Sequence, residues 1–204
     1  MPRLPFLDAA VVPVIGLAGP ARSGKNTVAQ IIEDIVEIPA CQDAFANRLK
    51  ISAAKALGYS FDGLDSYLDW ADEFKQSALI TIEDGNGTHS ITGREFLQLY
   101  GTEAHREVFD TDFWVDQVAD SLHPDALTII TDVRFDNEAQ LIKRLGGLMI
   151  RVTRSQVDAL PGDHASEEPI SDHLVDYEID NSGTMEDLIS KINWILRKEG
   201  AWNE

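Results

Sequence analysis

The sequence predicts an α/β fold built on a five-stranded parallel sheet, and three observations predict it. Val11 to Ile15 is an apolar run rich in β-branched residues that leads into the glycine-rich stretch GLAGPARSGKNT. Apolar residues then recur at helical spacing at Val28, Ile31, Ile32 and Ile35, which makes the whole a strand, a phosphate loop and a helix. Further on, Leu127 to Ile130 is short and wholly apolar, the pattern of a strand covered on both faces of a parallel sheet. Strand-like and helix-like runs alternate from there to the carboxyl end.

The loop chemistry requires these residue types. Gly16, Gly19 and Gly24 let the backbone turn through conformations that a Cβ forbids, so that successive N–H groups can face one anion. A helix starting near Gly24 adds its positive end, and Lys25 supplies a mobile point charge. The common motif is G-x-x-x-x-G-K-[ST]. Here Asn26 follows the lysine and the hydroxyl is displaced to Thr27. Gly19, Arg22, Ser23, Gly24, Lys25, Asn26 and Thr27 are therefore the candidates for holding donor phosphates.

Composition narrows the partners. With 204 residues, 44% of them hydrophobic, the chain is long enough for one α/β domain with a substrate-binding insertion. No apolar run approaches the ~20 residues of a membrane span. The amino end is interrupted by Pro2, Pro5 and Pro13 and does not read as a secretory signal, so a cytoplasmic protein is expected. Cys41 is the single cysteine, which excludes an internal disulfide. A net charge of −18 argues against nucleic acid, whose backbone needs a basic face. Against 35 acids stand 17 lysines and arginines, and Arg22, Lys25, Arg48, Lys50, Arg94, Arg106, Arg134, Arg151 and Arg154 all fall at ends of predicted elements.

After the first helix the sequence predicts a short strand through Ala44 and Phe45, then a helix from about Asn47 to Leu57 that ends at Gly58. Arg48 and Lys50 open it, where a second phosphate could be met. Ser66 to Ile80 reads as an amphipathic helix with Leu68, Ala71, Phe74 and Leu79 near one face. The sequence DGNG at residues 84–87 is hairpin chemistry. Thr92 with Glu95 forms a capping box for a helical run that Gly101 interrupts and Asp112 restarts. Arg94 and Arg106 lie on it, suited to gripping a monophosphate bidentately. Phe113 and Trp114 could stack on a base, although aromatic residues at helical spacing more often belong to a core.

Beyond Pro124, Asp132 falls at the carboxyl end of the second apolar strand, the edge at which α/β sheets bind ligands, and is the expected partner of Mg²⁺. Arg134 follows near the same crevice. A helix from about Asn137 to Leu145 stops at Gly146–Gly147, and LMIRV makes a further strand. Residues 153–170 carry no strand or long helix pattern; with Arg151 and Arg154 at their root they read as a lid. DYEID is the last strand, and Thr184 caps a helix from Met185 to about Lys198 with Leu188, Ile189, Ile192 and Ile195 inward. The five histidines have no metal-ligand spacing.

The phosphate loop resembles that of adenylate kinases. Together with FANRLK, GREFLQLYGTEAHREVFDTDFWV, TDVRFDNEA and DYEIDNSGTMEDL, it makes the chain similar over nearly its whole length to the phage deoxynucleoside monophosphate kinase family. The resemblance implies a single P-loop kinase domain of three α/β/α layers. Its core would be residues 8–46 and 124–204, its helical monophosphate-binding insertion about 47–123 and its lid about 153–170. It further implies ATP as donor, Mg²⁺, a deoxynucleoside 5′-monophosphate as acceptor and a diphosphate product, serving nucleotide biosynthesis for phage DNA replication in the host cytoplasm. Carried onto matching positions, Lys25 and Thr27 hold donor phosphates and Asp132 positions the metal, directly or through water. Arg134 counts among the catalytic residues, either Arg151 or Arg154 meets the transferring phosphoryl group, and Asn181 joins the nucleotide site. Arg48, Lys50, Arg94, Gln98, Glu103, Arg106 and Trp114 serve the acceptor. Asn26 stands where relatives tend to have Asp. No covalent intermediate is needed, because phosphoryl transfer asks for positioning and charge neutralisation. A homodimer stays open. Two other readings stay open as well: a dephospho-coenzyme A kinase or other small-metabolite kinase, and a nucleotide-binding switch, for which D-x-x-G occurs at Asp180–Gly183 but no N-K-x-D motif does.

Overall fold

The computed structural model describes residues 13–84, 87–155 and 169–200. From the amino end come β1 (Val14–Ala18), α1 (Lys25–Ile35), β2 (Ala40–Asp43), α2 (Phe45–Ala56) and α3 (Leu64–Ser77). Then follow β3 (Leu79–Asp84), β4 (Gly87–Thr92), α4 (Gly93–Gly101), a π-helical turn at Thr102–Glu107 and α5 (Phe113–Ala119). The remainder is β5 (Leu127–Val133), α6 (Asp136–Arg144), β6 (Leu148–Thr153), a 3₁₀ turn at Asp172–Leu174, β7 (Tyr177–Asp180) and α7 (Met185–Lys198).

Two compact units result, Met1–Ala44 with Ala119–Glu204, and Phe45–Val118. In the first, five strands pair in parallel in the order β2-β5-β1-β6-β7. Side chains alternate along a strand, so β1 feeds both faces of the sheet. Ile15 and Leu17 pack with Val28 and Ile32 of α1 and with Leu188, Ile192 and Ile195 of α7. Gly16, between them, faces α6 so closely that a Cβ would stand 2.3 Å from Ile142 Cδ1. Helices thus cover both faces, and the architecture is the three-layer α/β/α expected. Leu196 is buried on α7, whereas Ile189, expected inward, is 37% exposed.

The strand expected at Ala44 and Phe45 lies earlier, at Ala40–Asp43, and Phe45 already opens α2. As an edge strand β2 leaves Cys41 and Gln42 exposed, so it lacks the apolar signature of its neighbours. The Asp43 carboxylate accepts the Ala44 N–H at 2.8 Å and ends it.

The second unit pairs α2, α3 and α4 around a run of touching rings: Trp70, Phe74, Phe96, Tyr100, His105 and Trp114, with successive centroids 4.4–5.8 Å apart. β3 and β4 form the expected antiparallel hairpin, in register from Leu79 with Thr92 to Asp84 with Gly87; turn residues 85 and 86 lie outside the described residues. α3 ends at Ser77, so Leu79, expected on its buried face, starts β3 instead and is 70% exposed. Gly101 does not break the helical run, which continues as a π-helical turn. Leu49 packs close against it: a Cβ there would lie 2.0 Å from Leu49 Cδ1, so that side chain would have to shift. Among the described residues no helix is long and apolar enough to cross a membrane.

Candidate active site

A cavity of about 320 Å³ opens at the carboxyl ends of β1, β5 and β6, and Gly19, Pro20, Lys25, Arg134, Arg151, Thr153 and Ile170 help to line it. Its floor is the loop between β1 and α1. Gly19 has φ 137°, and a Cβ there would meet the Val152 carbonyl oxygen at 2.1 Å; Gly24 has φ 101°, and its Cβ would meet Asn181 Nδ2 at 2.2 Å. Arg22, exposed at the loop's crest, has φ 62°, a left-handed conformation that costs a non-glycine residue about 1 kcal/mol or more and that collects at functional sites.

The Gly24 carbonyl accepts the Val28 N–H at 2.9 Å and so begins α1. Gly24 brings no side chain to cap the helix, and the first turn holds no acid. By contrast, α4 and α7 open with reciprocal capping boxes, Thr92 with Glu95 and Thr184 with Asp187. The start of α1 lacks the negative group that its dipole favours. Ser23 is fully buried and its Oγ has no hydrogen-bond partner; among the described residues the other such buried side-chain atom is Arg151 Nε. Buried polar atoms without partners are rare in proteins. Lys25 folds back on the loop, donating to the Gly19 and Pro20 carbonyls at 2.8 Å each. Thr27 is half-buried and Asn26 exposed.

β5 brings Asp132 and Arg134. Gly16 pairs with Ile130 and Ala18 with Val133, so Thr131 and Asp132 together oppose Leu17, a bulge of the kind that re-aims side chains beside active sites. Asp132 is half-buried there, one residue before the cavity-lining Val133. The turn that presents Arg134 is held by Glu138, whose buried carboxylate accepts the N–H groups of Arg134 and Phe135 at 2.8 and 3.2 Å. Glu138 stands in the TDVRFDNEA stretch, where the sequence assigns it no role; its place as an acid in the first turn of the following helix is the signal for this one.

Arg151 of β6 donates through Nη1 to Asp172 at 2.7 Å and through Nη2 to the Ile170 carbonyl at 2.6 Å. Arg154 is exposed just past β6 and is not among the residues that line the cavity. Of the expected lid, residues 156–168 lie outside the described residues. Its far root is clamped: Asp136 accepts the Ser171 N–H at 2.8 Å and the Ser171 hydroxyl at 2.6 Å. Those two bonds, the hydroxyl first, hold the Asp136 carboxyl below its ordinary pKa. Asn181 donates through Nδ2 to the Ser23 carbonyl at 2.9 Å and so buttresses the loop.

In the helical unit, Arg94, Gln98 and Glu103 are exposed along α4 and the π-helical turn, Arg106 is half-buried on that turn, and Arg48 and Lys50 are half-buried on α2. Trp114 is corrected from a base-stacking candidate to core. It is 2% exposed, and its indole N–H donates to the Gly101 carbonyl at 2.9 Å.

The sequence profile of deoxynucleotide monophosphate kinases matches residues 62–192. A protein of Acanthamoeba polyphaga mimivirus is 30% identical over 199 residues, covering 88% of this chain and 93% of its own length. The chain belongs to the deoxynucleotide monophosphate kinase family. Two further relatives are the deoxynucleotide monophosphate kinase of Escherichia phage RB69 and the deoxynucleoside-5′-monophosphate kinase of Escherichia phage T5. The first is 28% identical, covering 87% of this chain and 70% of its own; the second is 26% identical, covering 82% and 89%. Membership of this kinase family makes the chain a phosphotransferase and removes the nucleotide-binding switch from the readings left open.

Among the described residues no three His, Cys, Asp or Glu side chains come together to hold a metal. Asp132 near the end of β5 and Thr27 on α1 each bring a hard oxygen donor, the ligand type that Mg²⁺ takes together with phosphate oxygens and water.

Proposed function

We propose that this kinase transfers the γ-phosphoryl group of ATP to a deoxynucleoside 5′-monophosphate, yielding ADP and the deoxynucleoside diphosphate. The observation that carries the donor half is the phosphate loop itself: a helix start with neither cap nor acid, reached through two left-handed glycines, beside a buried Ser23 hydroxyl without a partner. A polyphosphate supplies the acceptors and the negative charge missing there. Lys25 exchanges the Gly19 and Pro20 carbonyls for phosphate oxygens, a gain because the new acceptors are themselves anionic. Thr27 and Asp132 would hold Mg²⁺, which when bound neutralises charge on the phosphates. Arg134 presents a guanidinium to the same cavity.

The acceptor half rests on family membership together with the exposed Arg94 and the half-buried Arg106. These arginines would grip the monophosphate, with Gln98, Glu103, Arg48 and Lys50 around it. Arg154, and Arg151 once released from Asp172, would meet the transferring group. The protein supplies position and charge rather than a nucleophile. Coupled ADP-release assays over all deoxynucleoside and ribonucleoside monophosphates test the proposal; a chain that hydrolyses ATP but phosphorylates none of them would overturn it.

A further inference from the structure

An anion of the protein already engages the cavity's arginine. Arg151 is fixed in β6 with its side chain only 15% exposed, whereas its partner Asp172 is 93% exposed. The arginine therefore stays where the sheet puts it, while the carboxylate can leave for water at little cost. Arg151 lines the cavity beside Lys25 and Arg134, and its Nε is buried without a partner even while Asp172 and the Ile170 carbonyl take its two other nitrogens. A guanidinium fork pairs with phosphate as well as with carboxylate. A phosphate chain and Asp172 thus compete for one cation.

We infer that Asp172 is a competing counter-ion that holds Arg151 in the ligand-free protein and is displaced by an entering polyphosphate, so that it sets the affinity for the donor. This inference rests on the reading of the cavity as the donor-phosphate site. It gives Asp172 an effect opposite in sign to that of an ordinary structural partner, since removing it should strengthen binding. The cavity wall should survive the change, because Arg151 keeps its bond to the Ile170 carbonyl and Asp136 independently holds Ser171.

The test is calorimetric titration of the full chain with inorganic tripolyphosphate at fixed ionic strength. An ion pair whose carboxylate is exposed to water sets the scale, so Asp172→Asn should tighten binding roughly two- to fivefold. Asp172→Ser should do the same if the Asn variant is poorly folded, and Asp172→Glu should restore the wild-type value. The gain should vanish in the Arg151→Ala background. Glu186→Gln, which removes an equal exposed charge that does not line the cavity, should leave binding unchanged. Folded Asp172 variants that bind no more tightly than wild type overturn the inference, as does an equal gain in Glu186→Gln. If Lys25→Ala binds tripolyphosphate as well as wild type, the cavity assignment itself fails and this inference falls with it.

Discussion

Asn181 and Gly24 meet at the base of the phosphate loop: the amide that donates to the Ser23 carbonyl at 2.9 Å lies 2.2 Å from where a Gly24 Cβ would stand. The closing β7–α7 connection is thereby fitted against the loop, 158 residues away in sequence. Gly24→Ala is expected to suffer twice, from a left-handed φ that costs about 1–2 kcal/mol and from this contact, and to weaken ADP binding by at least about tenfold. Asn181→Ala removes one hydrogen bond worth about 1 kcal/mol and also makes room. The double variant should therefore bind better than the sum of the two losses allows, and a calorimetric double-mutant cycle measures that coupling.

Lys25→Ala should lower kcat by at least about a hundredfold, the scale of a lost charge stabiliser at a transition state, with Tm close to wild type. The loop is shaped by its glycines, and Lys25 donates to the Gly19 and Pro20 carbonyls of that loop. A variant that kept wild-type turnover would remove the loop from the mechanism.

What was legible in the sequence was what is written locally. The spacing from Gly19 to Thr27 is a local pattern, and β1, β5 and β6 are buried strongly enough to be apolar throughout most of their length. β2 is an edge strand of ACQD and carries no such mark. The bulge at Thr131 and Asp132 is a property of pairing with β1, which no single strand's sequence encodes. The bonds of Asp136 to Ser171 and of Arg151 to Asp172 join residues 35 and 21 apart, through polar side chains that any exposed loop contains. Glycine lowers helix propensity, which makes Gly101 look like a break, yet α4 passes through it into the π-helical turn with Leu49 packed close against it.

Trp114→Ala should destabilise the helical unit by about 3–5 kcal/mol, since it removes a buried ring and leaves the Gly101 carbonyl without its donor. Trp114→Phe should lose less, keeping most of the packing. Denaturant melts read the stability, and KM for the monophosphate in the Phe variant checks the chemistry. A large rise in that KM with stability unchanged would restore Trp114 to the acceptor site.

Arg94→Ala and Arg106→Ala should each raise KM for the monophosphate far more than KM for ATP. A lost charge-assisted contact of ~1.5–3 kcal/mol corresponds to roughly a 10- to 150-fold weakening. Arg94 is exposed, so its replacement should leave Tm unchanged; Arg106 is half-buried on the π-helical turn, so some stability should go with it. Steady-state kinetics varying each substrate separate the two effects. Equal changes in both KM values would mean that neither arginine is dedicated to the acceptor.

The clamp between Asp136 and Ser171 should reveal itself in the pH dependence of stability. The Asp136 carboxyl is held below its ordinary pKa by the Ser171 hydroxyl first and the Ser171 amide second, with a smaller contribution from His173; partial burial opposes them. A carboxyl whose folded pKa is depressed releases its proton more readily in the native state than in the unfolded chain, so its contribution is fully present above the unfolded value of about 3.9. It is lost as pH falls from there through the lower folded value. Ser171→Ala keeps the amide bond and loses the hydroxyl, and its Tm should fall below wild type at about pH 5 to 7. That gap should narrow below about pH 4, where the unfolded chain's carboxyl is protonated and the native carboxyl follows it. Calorimetric scans of both proteins between about pH 2.5 and pH 7 measure the gap, and one that stayed constant across the range would show that the Ser171 hydroxyl stabilises the protein without the ionised carboxylate of Asp136.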